Sequence, residues 1–130
     1  MSFTSSFPNA PVGISAAVNC AQAAGTYDLL TATGDVLVTT QKYYQITAGA
    51  TFTSLAIQTN DTTAAPLLSA AEGAVANLTA AKNIVSATVS TPIVIKSGKK
   101  IQMTLVGSTG TGTGTLAIYY TPITAGAFLA

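Results

Sequence analysis

From Ile101 to Leu105 apolar and polar side chains alternate without a break: Ile101, Gln102, Met103, Thr104, Leu105. A two-residue period belongs to a half-buried β-strand, whose successive side chains point to opposite faces. It sends Ile101, Met103 and Leu105 into a core and leaves Gln102 and Thr104 in water. The same period returns at 116–120, where Leu116, Ile118 and Tyr120 share a face. The C-terminal part of the chain is thereby committed to β structure.

Upstream, from Thr26 onward, the punctuation is of the same kind, with short apolar stretches separated by turn residues. A strand is expected at 27–30, closed by Thr33, Gly34 and Asp35. Another is expected at 36–46, with Val36, Val38, Tyr44 and Ile46 on one face and Thr39, Gln41 and Gln45 on the other. A third, at 52–58, turns Leu55 and Ile57 to the core, and Asn60 and Asp61 suit an Asx-turn after it. Residues 92–95 lead through KSGKK at 96–100 into 101–106, which reads as a hairpin with lysines at its tip. The Gly/Thr segment 107–114 reads as a second hairpin loop, returning the chain to 115–120. Residues 12–24 alternate more weakly, through Val12, Ile14, Ala16 and Val18. A first strand fits them, and the alanines suit a helix equally. One segment has helical spacing: Ser69, Ala70, Ala71 and Glu72 match a capping box, followed by Ala74, Val75 and Leu78. Gly73 and Asn77 restrict it to one or two turns, before a strand near 84–89.

Residues 1–11 are expected to form an extended arm. Pro8 and Pro11 disfavour helix at the residue before each, and Phe3 and Phe7 lie in no strand pattern. Residues 12–130 then make a single domain, long enough to bury a core without disulfides or metal. Strands at this spacing predict an all-β fold: an antiparallel β-sandwich or jelly-roll of roughly eight strands with an extended N-terminal arm.

Charge is scarce. Five lysines and four acidic residues give a net charge of +1, and charged residues make up 7% of the chain, with no arginine, histidine or tryptophan. Ordinary soluble domains carry charge on about a quarter of their residues. So weakly charged a surface offers little repulsion and favours association, and the many Ala and Thr residues make it flat and unreactive. The mean hydropathy of +0.50 invites a membrane reading. However, no apolar run approaches the ~20 residues of a spanning helix. The first residues lack the basic and apolar regions of a secretory signal, which leaves the sequons at Asn60 and Asn77 without meaning. Five lysines without arginine are a poor phosphate-binding footprint, so no nucleic-acid partner is expected.

Most of the groups that catalysis needs are missing. Without histidine neither a Ser–His nor a Cys–His pair can be built, and zinc held by Cys and His is excluded. Asp28 and Asp35 remain as a formal carboxylate pair, but each sits where turns and strand ends ordinarily place Asp. Asn60 and Asp61 offer oxygens to calcium without the dense acidic ladder of a strong site. The GTGTGT run at 110–115 lacks the lysine and the helix that follow a phosphate loop. The lone Cys20 cannot bridge within the chain and reads as a small buried apolar residue of a protein folding in a reducing cytosol. The expectation is a non-enzymatic protein with no cofactor, no metal and no small-molecule substrate. Lys96, Lys99 and Lys100 form the one cluster of charge, serving solubility or meeting an acidic partner surface.

The segments GTYDLL at 25–30, IQTNDTT at 57–63, SGKKIQ at 97–102 and LAIYYTP at 116–122 together resemble small proteins of tailed bacteriophages. The likeness is to head decoration (cement) proteins and related virion β-sandwiches. It implies an antiparallel sandwich or jelly-roll, often a homotrimer, docked on the major capsid protein at the outside of the shell. Such a protein is made in the host cytoplasm, belongs to the virion and leaves by lysis. An arm carrying Phe3, Phe7 and Pro8 is then expected to reach over a neighbouring subunit, with Lys96, Lys99 and Lys100 as a further contact. An expectation from a different class is a tail- or fibre-associated module that binds host surface carbohydrate, with Tyr27, Tyr43, Tyr44, Tyr119 and Tyr120 as stacking platforms.

Overall fold

A computed structural model of the chain describes residues 11–46, 51–79, 84–87, 92–107, 109 and 111–130. In chain order its strands are β1 (Val12–Asn19), β2 (Gly25–Thr33), β3 (Val36–Gln45), β4 (Phe52–Thr59) and β5 (Pro66–Leu68), then β6 (Ile84–Ala87), β7 (Ile93–Ile95), β8 (Lys100–Gly107), β9 (Thr113–Pro122) and β10 (Phe128–Leu129). The alternation at 12–18 resolves as a strand, and β2 runs past both ends of the expected 27–30.

The pairing is nested and antiparallel throughout. β1 pairs with β9, β2 with β8, β3 with both β6 and β7, and β4 with β5. One sheet runs β1-β9-β3, with β6 and β7 end to end along the far edge of β3; the other runs β10-β2-β8-β4-β5. Each pair encloses the next and successive pairs fall in alternate sheets, which is the winding of a jelly roll. The molecule is an antiparallel β-sandwich of the expected kind.

Both expected hairpins are instead crossovers. β7 and β9 lie in the first sheet and β8 in the second, so the lysine segment and the Gly/Thr segment each carry the chain between sheets. A two-residue period says which face a side chain takes and nothing about which strand lies alongside. Among the described strands, only β4 and β5 are consecutive and hydrogen-bonded to each other.

The expected faces of β3 hold only as far as Val38. The register against β9 shifts between Val38 and Thr40, a bulge that adds one residue and reverses the alternation beyond it. Gln41 and Tyr43 therefore point inward, whereas Tyr44 is half-buried on the outer face and Ile46 is 50% exposed. The capping box does form: Glu72 N–H donates to Ser69 Oγ at 3.2 Å and Ser69 N–H to Glu72 Oε2 at 2.8 Å. It opens one turn, followed by a single 3-10 turn at Val75–Asn77. Helix stops there because the segment presses on β4. Leu55 N–H donates to Gly73 O at 2.8 Å, and a Cβ on Gly73 would overlap the Leu55 carbonyl oxygen. The expected strand at 84–89 is described as far as Ala87, and residues 88 and 89 lie outside the described residues, as do 1–10 of the arm.

Val36, Val38, Tyr43, Leu116 and Ile118 of one sheet meet Leu55, Ile57, Ile101, Met103 and Leu105 of the other, none more than 3% exposed. Burial of a side chain of this size contributes about 1.5–3 kcal/mol. Tyr43 stands opposite Leu116 and fits because its ring reaches over Gly114, where a Cβ would run into the tyrosine hydroxyl and the Tyr44 carbonyl. Cys20 is fully buried beside it, with Sγ 3.7 Å from Tyr43 Oη. Gln41 is the misfit: it is 1% exposed, and its amide makes no hydrogen bond among the described residues.

Two substitutions check this packing by urea denaturation. Gly114→Ala forces a methyl against Tyr43 and is expected to cost about 1–3 kcal/mol. Gln41→Met keeps the volume and removes an unsatisfied buried amide, so a gain of about 1 kcal/mol is expected. A loss in the second variant would mean that the amide is satisfied in solution.

Candidate functional site

The connections β2–β3, β4–β5 and β7–β8 meet at one end of the sandwich. Asp35, in the first, accepts the Ser97 N–H at 2.9 Å and lies 3.4 Å from Lys96 Nζ. Asn60, in the second, accepts the Lys100 N–H through its side chain at 2.7 Å and donates its own N–H to Lys100 O at 3.0 Å. Lys99 Nζ is 4.0 Å from Asp61, and Lys100 Nζ is 2.6 Å from Asp28 Oδ2. The other oxygen of Asp28 accepts from Gln102 Nε2 at 2.7 Å.

Each lysine of the cluster thus stands against an aspartate of the same chain. The three cations form no free basic patch; three aspartates answer them at the same end. No signal along the chain shows this, because the pairs are 61 residues apart for Lys96–Asp35 and 72 for Lys100–Asp28. Hydrogen bonds from Lys100, and then from Gln102, lower the pKa of Asp28 below the ordinary carboxylate range. The Ser97 N–H, and then the charge of Lys96, do the same for Asp35.

Hydrogen bonds engage one side-chain oxygen each of Asn60 and Asp61, two of the groups considered for calcium. Asn60 Oδ1 takes the Lys100 N–H, and Asp61 Oδ1 takes the Thr62 N–H at 2.8 Å, one residue on rather than the two of the expected Asx-turn. Asp28 and Asp35 each bind their own partners rather than one another. The Gly/Thr run ends inside β9, where Gly114 serves to admit Tyr43. Burial pushes the Cys20 thiol above its usual pKa, as befits a packed, unreactive side chain. The five tyrosines do not gather. Tyr43 and Tyr120 are core residues, Tyr27 donates its hydroxyl to Ala23 O at 2.6 Å, and Tyr119 is 54% exposed on the outer face of the first sheet.

That outer face is the other distinctive surface. Along β1, β9 and β3 it presents Gly13, Ser15 and Ala17 beside Tyr119, Ala117 and Thr115, then Thr40, Lys42 and Tyr44. Lys42 is its one charge among these residues. A shallow hollow of about 260 Å³ lies between β1 and β9, floored by small residues and walled by the Tyr119 ring. By contrast, the outer face of the second sheet carries hydrogen-bonding side chains that engage each other: Thr26 and Gln58 both reach Thr104, at 3.2 and 3.4 Å. The expected interface residues Phe3, Phe7 and Pro8 lie outside the described residues.

Among the described residues no helix is long and apolar enough to cross a membrane. In comparison with known proteins, the chain matches no family model and no curated protein.

The lowered carboxylates fix a pH dependence. Asp28 and Asp35 ionise more readily folded than unfolded, so their stabilisation is complete above the unfolded value, about 4. It is lost as the pH falls through the folded values. Thermal melts are expected to be flat from neutrality down to about pH 5 and to fall below that. The Asp28→Asn, Asp35→Asn double variant should melt lower at neutral pH and show a shallower acid limb; an unchanged acid limb would assign it to other groups.

Proposed function

We propose that this chain is a structural protein of the virion of a tailed bacteriophage, attached to the outer surface of the capsid through contacts with the major capsid protein. The observation that carries the reading is the neutral outer face of the β1-β9-β3 sheet. Lys96, Lys99 and Lys100 are paired with aspartates at one end of the sandwich, and this face offers small side chains, an exposed tyrosine and one lysine. Jelly rolls serve many unrelated functions, so the weight falls on the surface and on the resemblance in sequence, not on the fold. A flat, neutral face suits a protein partner matched by shape. The arm supplies anchors: Phe3 and Phe7 can each contribute on the order of 2 kcal/mol when buried in a neighbour's groove.

The test is co-sedimentation of the purified protein with undecorated shells of the major capsid protein encoded alongside it. Saturable binding with a weak dependence on salt is expected, because Lys96, Lys99 and Lys100 already have acidic partners. Deleting residues 1–11, or substituting Phe3→Ala with Phe7→Ala, should abolish binding and leave the melting temperature nearly unchanged. Recovery of the protein with tails or fibres rather than shells would sink the proposal in favour of a host-recognition module.

A further inference from the structure

Three of the four sheet edges are protected against pairing with another strand. β10 has two residues, β5 has three and begins at Pro66, and the far edge of β3 is covered by the short β6 and β7. Short strands and prolines are the usual means of blunting an edge. β1 has neither. It is eight residues long, VGISAAVN, without charge, proline or bulge, and among the described residues it pairs on one side only.

The hydrogen-bond pattern says which backbone groups of β1 are spare. Cys20 N–H donates to Gly112 O in register with the β1–β9 ladder. Alternate residues of an antiparallel strand bond to the same neighbour. The even-numbered residues from Val12 to Val18 therefore bond to β9, and Pro11, Gly13, Ser15, Ala17 and Asn19 direct their groups outward. The two ends of this row are incomplete. Pro11 has no N–H to give, and the Asn19 carbonyl already accepts Gln22 Nε2 at 2.8 Å.

We infer that β1 pairs with β1 of a second copy of this chain, antiparallel about a twofold axis through Ser15. In that register Ser15 meets Ser15, and Gly13 meets Ala17, so all six spare groups of these residues find partners in each copy. Pro11 falls opposite Asn19. The donor that proline lacks would have bonded to the carbonyl that Gln22 has already taken, so neither copy leaves an orphan there. This match of defects singles out both the register and the partner. On the inner face Val12 meets Val18 and Ile14 meets Ala16, covering Val12, which is 41% exposed in the single chain, and the half-buried Ile14 and Ala16. On the outer face only small side chains meet, and no charge opposes its own copy across the axis. The strand is already extended and held by β9, so little order has to be imposed on binding.

The pairing does not depend on the capsid reading, since it concerns the purified protein alone. A twofold contact gives a dimer, or a hexamer if a threefold contact operates elsewhere, and it excludes an isolated trimer. Size exclusion with light scattering at tens of micromolar is expected to give twice the 13.0 kDa chain mass, or six times it. Ser15→Pro removes an outward N–H without touching the β9 ladder and should halve the mass, or reduce a hexamer to a trimer. Ser15→Lys and Ser15→Glu each place like charges on the axis and should do the same. Mixing the two should restore the wild-type mass, because opposite charges then face each other. Far-UV circular dichroism reports whether each variant is folded, and the charge pair decides the matter if the proline variant is not. A wild-type monomer or trimer would overturn the inference. So would Ser15 variants of unchanged mass, or a Lys/Glu mixture that fails to reassociate, which would point to a different strand on this edge.

Discussion

Strand β9 is hydrogen-bonded on both sides, and the way it divides its backbone groups governs the first sheet. Even-numbered residues from Gly112 onward face β1, and odd-numbered residues from Thr113 onward face β3. Leu116, Ile118 and Tyr120 point to the core in the same rhythm, and Gly114 falls where the bulged β3 delivers Tyr43. A side chain at 114 would expel that ring, and with it the contact to Cys20. The division also leaves Gly13, Ser15 and Ala17 of β1 with outward backbone groups that pair with no described strand.

Among the described residues the ion pairs are confined to one end. Asp28, Asp35 and Asp61 with Lys96, Lys99 and Lys100 account for most of the charge in a chain that has little, and they tie together connections distant in sequence. These are exposed pairs, screened by water and salt, and their effect is to close loops more than to hold the fold. The fold is held by the apolar layer between the sheets. With cations and anions answering one another at that end, the broad face of the first sheet is left nearly neutral. A neutral face has no long-range preference for a partner and relies on shape and on backbone groups, which is the setting for pairing between like copies.

The bulge in β3 explains the largest departure from a simple reading of the sequence. Alternation from Val36 and Val38 extrapolates to Tyr44 and Ile46 on the inside, and one inserted residue places Gln41 and Tyr43 there instead. Nothing in the segment marks the bulge, since it follows from how β3 and β9 must meet. The lysine segment shows the same limit. Its turn character was legible in Ser97 and Gly98, but its course between sheets depends on β7 pairing with β3 rather than with β8.

The sequence by itself determined the β class, the inward faces of 101–105 and 116–120, the capping box of Ser69 and Glu72, and the burial of Cys20. These depend on backbone geometry within a few residues, where period and side-chain reach are fixed. Only the tertiary structure decided which strands adjoin, which aspartate each lysine meets, and that β1 is the edge strand of its sheet. Those outcomes depend on register and closure between segments tens of residues apart, and a local period carries no information about either.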